Sequence, residues 1–152
     1  MQRKFMRVAI NQALKALEKD EVPIGACIVL DGKVIARAHN LVENAQDATA
    51  HAEVLAIKKA CKKLNSWRLD GAELYVTVEP CSMCAGAIAN AMIKKVYFGA
   101  HEKKSGCAES LYPILSNNGL NHTVEVEGGI EGEYCANLLK DYFKSKRKKK
   151  NS

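Results

Sequence analysis

His51, Glu53, Cys81 and Cys84 are the residues of this chain whose types and spacing can carry chemistry. The two thiols stand three residues apart in TVEPCSMCAGAIA (77–89), directly after Pro80, and the imidazole stands in DATAHAEVLAI (47–57). A C-x-x-C pair alone reads as a redox couple, as half of a metal site or as coincidence, and a lone histidine at a helix start is more often a cap or a packed side chain than a ligand. Together they offer one imidazole and two thiolates, the borderline-soft donors that zinc prefers. With no fourth Cys or His near in sequence to close the tetrahedron, the expected Zn2+ site keeps one position for water, the mark of a catalytic site.

Glu53 turns such a site into a candidate catalyst. A glutamate in a first helical turn is commonly a surface residue matched to the helix dipole, and a spacing of two sets it on a different azimuth from His51. Water activated by a metal nevertheless needs a proton acceptor that is not itself a ligand. A carboxylate held nearby could take that proton, pass it to substrate and deliver it to a leaving amine.

These residues need elements that bring 47–57 and 77–89 together. Met6, Ala9, Ile10, Ala13, Leu14 and Leu17 recur at helical spacing, predicting a first helix that ends near Asp20, before the breakers Pro23 and Gly25. A strand over 25–30 turns at Asp31-Gly32 into a second over 34–38, a favoured hairpin. The polar stretch LVENAQDAT reads as a loop. From His51 to about Leu64 the pattern is helical, with Val54, Leu55, Ile57, Ala60, Cys61 and Leu64 marking the buried side. ELYVTVE, KVYFG and TVEVE read as further strands, CSMCAGAIANAM as a helix, 110–115 as a short helix, and a last helix starts near Gly129. Connections of this length predict one mixed sheet of five strands, the first two antiparallel and the remainder parallel, with helices on both faces. Pro80 stops its strand and lets a helix begin at Cys81, which sets Cys81 and Cys84 about 5 to 6 Å apart at Cβ on one first turn. His51 opens its own helix, so two helix N-termini would converge beyond the carboxyl ends of the strands, where open α/β sheets bind ligands.

Composition suits one globular domain: 152 residues, 47% hydrophobic and 26% charged. No apolar run reaches membrane-helix length, and the amphipathic N-terminus has no hydrophobic signal core, so a cytoplasmic protein without membrane contact is expected. Six cysteines in a reducing compartment argue against disulfides; Cys27, Cys61 and Cys135 read as small buried hydrophobes, and Cys107 has no assigned role. Net charge is +6, and KSKRKKKNS (144–152) holds six of the 23 basic residues and no acid, which leaves the rest of the chain balanced. The chain thus divides into a folded domain over 1–143 and a basic tail over 144–152. That tail is either a solvated, frayed end or an electrostatic arm for a polyanion such as RNA.

HAE at 51–53 followed after 26 residues by PCSMC at 80–84 matches the H-x-E and P-C-x-x-C signature of zinc-dependent nucleobase deaminases. Beyond that signature, EVPIGA (21–26), Asn40, DATAHAE (47–53), LYVTVEPCSMCAGAI (74–88), VYFGA (96–100), the SL of 110–111, NH at 121–122 and the closing helix with Phe143 resemble the bacterial tRNA-specific adenosine deaminases of the cytidine/deoxycytidylate deaminase superfamily. The resemblance covers nearly the whole chain. It implies a cytidine deaminase-like three-layer αβα sandwich, a homodimer, and conversion of the wobble adenosine in the anticodon of an arginine tRNA to inosine. It also implies that His51, Cys81 and Cys84 are the zinc ligands and Glu53 the proton shuttle. Asn40 would hydrogen-bond the extruded adenine, Val22 and the backbone of Ala52 would line its pocket, and Phe143 would pack on nucleotides of the anticodon stem-loop.

Two positions depart from the family. His101-Glu102 stands where Arg-Asp is common, so that Glu102 offers a sugar hydroxyl a longer-reaching acceptor, and Ala48 replaces a common proline before His51. Simpler roles stand beside the implied ones: core for Val22, helix packing for Phe143, a turn for Asn40. Two other functions share the residues, a zinc deaminase of free guanine, cytosine or nucleotides and a zinc-stabilised RNA-binding protein without chemistry. The basic tail and Phe143 favour RNA over a free base.

Overall fold

The computed structural model describes residues 1–116 and 122–150; Asn121, Asn151 and Ser152 lie outside these. The elements in chain order are α1 (Gln2–Glu18), β1 (Gly25–Leu30), β2 (Lys33–His39), α2 (Val42–Ala45), α3 (Ala52–Leu64), β3 (Glu73–Val78), α4 (Ser82–Asn90), β4 (Lys95–Ala100), β5 (Glu125–Glu127) and α5 (Gly132–Lys150). Strand order is β2-β1-β3-β4-β5. β1 runs antiparallel to both neighbours, while β3, β4 and β5 are mutually parallel.

Period-two alternation divides the inner strands between two cores. Ala26 and Ile28 of β1, Leu74 and Val76 of β3, and Val96 and Phe98 of β4 pack towards α3 and α4. Their neighbours Cys27, Val29, Tyr75 and Tyr97 pack towards α1 and α5, where Phe5 tilts against Tyr75 at 5.4 Å and Tyr75 stacks on Tyr97 at 4.5 Å. The result is the three-layer αβα sandwich expected, with all six cysteines free.

Departures from the sequence expectations have local physical causes. The deepest stripe of α3 is Ala52, Ala56 and Ala60; Leu55, Ile57 and Cys61 flank it half-buried, and Leu64 is 38% exposed. Small side chains let α3 lie close on the sheet, which moves the larger apolar residues to its edges. Leu17, likewise, is 40% exposed, and Ala16 and Gln12 take the buried face of α1 with Met6, Ala9 and Ala13. The stretch 110–115 is turns and bends, not a helix. The amides of Ala108, Glu109 and Ser110 bond the Glu79 carboxylate, so the helical pattern of bonds never starts. The polar stretch after Asn40 contains the four-residue helix α2. α5 continues through Lys144 to Lys150, with cations at the helix end that favours them.

Gly25 allows α1 to cross β1 closely, because a Cβ there would land on the Ala9 carbonyl oxygen and the Ala13 amide nitrogen. Gly25→Ala should therefore destabilise the fold by about 3 kcal/mol, since the obstructing atoms are backbone and cannot yield. Urea denaturation checks this; a midpoint equal to that of the parent would contradict it.

Candidate active site

The direction of β1 gathers the site. Its N-terminus lies at the same sheet edge as the C-terminal ends of β2, β3 and β4, so Val22, Asn40, Glu79 to Cys81, and His101 to Glu102 all emerge there. A cleft of about 960 Å³ opens at this edge. Val22, Asn40, His51, Ala52, Glu53, Cys81, Glu102 and Phe143 all line it, and Cys84, buried in α4, reaches His51 from behind the lining, so the residues expected from the sequence meet in one place.

His51 and Cys81 are the N-cap residues of α3 and α4, both with extended backbone, and neither side chain caps its own helix. They turn instead to each other: His51 Nδ1 lies 3.7 Å from Cys81 Sγ and 3.5 Å from Cys84 Sγ. Tetrahedral zinc at ordinary bond lengths needs donors about 3.6 Å apart, so this imidazole and two sulfurs fit the ion in type and spacing. Among the described residues this is the group of His, Cys, Asp and Glu able to hold a metal, its donor atoms all within 4.8 Å.

Charge in the cluster is shared. The Cys81 thiol is drawn down to about 4, chiefly by a hydrogen bond from Cys84 and then by His51, while that same bond and burial push the Cys84 thiol up. The bond to Cys81 raises His51, against the opposing effect of burial. Glu53, only 3% exposed, is pushed up to about 7 by burial, with the Cys81 thiolate adding to it. A carboxyl so placed can exchange a proton near neutrality. Asn40 is buried, its backbone N–H donating to the Ile24 carbonyl and its Oδ1 accepting from the Val42 backbone amide at 3.4 Å.

Two buried carboxylates went unassigned in the sequence. Glu79, 2% exposed and next to Pro80, accepts bonds from the amides of Glu102, Ala108, Glu109 and Ser110 and from the Ser110 hydroxyl. It thus ties the loop carrying Glu102 to the segment carrying Cys81. Glu21, fully buried, accepts from the amides of Glu43 and Asn44 and from the Asn44 side chain. The available signal for Glu79 was a charge closing the apolar run LYVTV immediately before a proline; Glu21 had none. Lys104, Lys140 and Arg147 bring cations to the cleft lining, beside the carboxylates of Glu21, Glu43, Glu53 and Glu102.

For both carboxylates burial favours the neutral form, yet the donated hydrogen bonds outweigh it and hold the carboxyls below the ordinary 4.5. The unfolded chain then binds protons more readily, so this stabilisation is complete above about pH 4.5 and fades as pH falls through and below it. Thermal melts should show Tm dropping on that acid side, with a shallower drop in Glu79→Gln, which also melts lower at neutral pH. Parallel acid limbs in the two proteins would refute this.

The family model for MafB19-like deaminases matches residues 1–147. A tRNA-specific adenosine deaminase of Bacillus subtilis (strain 168) is 51% identical over 148 residues, covering 97% of this chain and 92% of that protein. One from Aquifex aeolicus is 49% identical over 143 residues, 94% of each. Among solved structures, one from studies of A-to-I editing by tRNA:A34 deaminases at the wobble position of transfer RNA superposes with a TM-score of 0.86 at 46% identity, covering 90% of this chain and 99% of that one. A matching signature, sheet order and donor cluster over nearly the full length of these relatives place the chain in the MafB19-like deaminase family, within the tRNA-specific adenosine deaminase group.

Proposed function

We propose that this protein is a hydrolytic deaminase that converts adenosine to inosine at the wobble position of a tRNA anticodon, with Zn2+ held by His51, Cys81 and Cys84. The observation that carries this reading is Glu53, buried beside that donor group in a cleft that the residues named by the resemblance line. When bound, zinc supplies a Lewis acid that strengthens water as a proton donor near neutral pH. Glu53 takes the proton from water, gives it to N1 of adenine as oxygen bonds to C6, then carries a proton to the departing amine. Water and adenosine become inosine and ammonia. Asn40 orients the base by hydrogen bonding, and Val22 and the Ala52 backbone flank it. Phe143 packs on a loop nucleotide, and Glu102 accepts from a neighbouring sugar hydroxyl. An unpaired loop suits this site, because C6 in a duplex lies within the stack.

The family resemblance adds an arginine tRNA as substrate, a homodimer as the assembly and the cytoplasm as the setting. In this reading residues 1–143 form the deaminase domain and 144–152 a basic extension. The helical part of that extension presents Lys144, Arg147 and Lys148 to RNA phosphates.

Purified protein should carry stoichiometric zinc, and Cys84→Ala should lose most of it by elemental analysis. An anticodon stem-loop with a wobble adenosine should yield inosine, while guanine, cytosine and their nucleosides release no ammonia; the reverse outcome would make this a free-base deaminase. Glu53→Ala should lower turnover by about 10³-fold with zinc and RNA binding retained. Truncation after Lys144 should flatten the salt dependence of RNA binding, and an unchanged slope would remove the extension from the interface.

A further inference from the structure

The link between α1 and β1 meets three walls of the cleft within three residues. Val22 lines the cleft itself. Glu21 accepts hydrogen bonds from the Glu43 amide at 3.1 Å, the Asn44 amide at 2.6 Å and Asn44 Nδ2 at 2.6 Å. These amides belong to the first turn of α2, whose own N-cap residue, Leu41, provides no side-chain cap. A helix of one turn does not persist on its own propensity, and the carboxylate satisfies donors the helix cannot satisfy internally. α2 in turn holds Asn40, through the Val42 amide on Asn40 Oδ1.

Asp20 addresses the opposite wall. It sits in left-handed backbone at φ 59° and pairs with Lys146 Nζ at 2.7 Å, and its carbonyl accepts from the Tyr142 hydroxyl at 3.4 Å. Tyr142 and Lys146 stand one turn apart on α5, each followed directly by a cleft residue, Phe143 and Arg147. The same contact that seats the first pair therefore sets the register of the second. The Asp20–Lys146 pair is solvent-exposed and weak; the buried Glu21 carboxylate is the firm point.

We propose that Glu21 is a positioning residue for the reaction: it serves as the missing cap of α2 from 22 residues away, and so fixes the Asn40 and Val42 wall, while adjacent Asp20 registers α5. This inference rests on the deaminase reading, and its role is in substrate placement and not in proton transfer. Glu21→Gln keeps one acceptor oxygen but turns an NH₂ towards groups that are themselves donors.

Steady-state kinetics on the anticodon stem-loop should show KM raised about tenfold in Glu21→Gln with kcat within about twofold, and a smaller rise in the same direction in Asn44→Ala, which removes one of the three bonds to Glu21 together with the Asn44 bond to the Lys19 carbonyl. Asp20→Asn, which retains compatibility with positive φ, should raise KM by about two- to threefold. Hydrogen exchange on the free protein should accelerate at the amides of Glu43 and Asn44 in Glu21→Gln while those of α3 keep their protection. An unchanged KM, a collapse of kcat at constant KM, or uniformly faster exchange would overturn the proposal. Should Glu21→Gln fail to fold, Asn44→Ala carries the same test. The exchange measurement needs no substrate, so absence of inosine from the parent protein would sink the deaminase reading while the tether is still judged by its amides.

Discussion

His51 and Cys81 each begin a helix without capping it, and the geometry of the site depends on that withheld interaction. A side-chain cap is worth on the order of 1 kcal/mol, and forgoing it twice leaves an imidazole and a thiol free to face one point with Cys84. The helix N-termini compensate in part, because their exposed amides favour the negative charge that thiolates bring. Convergence then needs both helices to start at one edge of the sheet. The parallel run of β3 and β4 and the reversed β1 provide this by sending Cys81, Asn40 and Val22 to the same side.

Holding two helix ends on one small target requires close layers. Ala52, Ala56 and Ala60 on α3, and Ala85, Ile88 and Ala89 on α4, are buried against the sheet face formed by Ile28, Leu74, Val76 and Phe98. The small volume of the alanines brings the helix axes near the strands and leaves little freedom to slide. The same closeness buries Glu53, and burial rather than any single partner takes its carboxyl out of the usual acidic range.

The lips of the cleft follow a different rule. Two of them are loop or one-turn helix, with backbone donors that no regular structure satisfies, and both are organised on a buried carboxylate. Glu79 gathers residues 102–110 and Glu21 gathers residues 43 and 44. An unpaired carboxylate in such a place would be very costly, so the loops and the charges stabilise one another. This links the catalytic floor, the recognition walls and the helix that carries Phe143 into one mechanical unit.

The candidate metal-donor group, the carboxylate beside it, the strand segments and the two sheet faces were legible from residue types and periodicity, because these are local properties: alternation for strands, 3.6-residue recurrence for helices, donor softness for metals. The reach of the resemblance also named Asn40, Val22, Ala52, Glu102 and Phe143, and all of them border the cleft. What escaped was whatever depended on partners distant in sequence. α2 exists because Glu21 caps it, 110–115 is not a helix because Glu79 takes its amides, and Leu64 stays at the edge because alanines suffice at the interface. The chain's order of residues therefore sets which chemistry is possible. Its three-dimensional packing decides which backbone donors are satisfied by which carboxylates, since that pairing is made across tens of residues and leaves no local pattern to read.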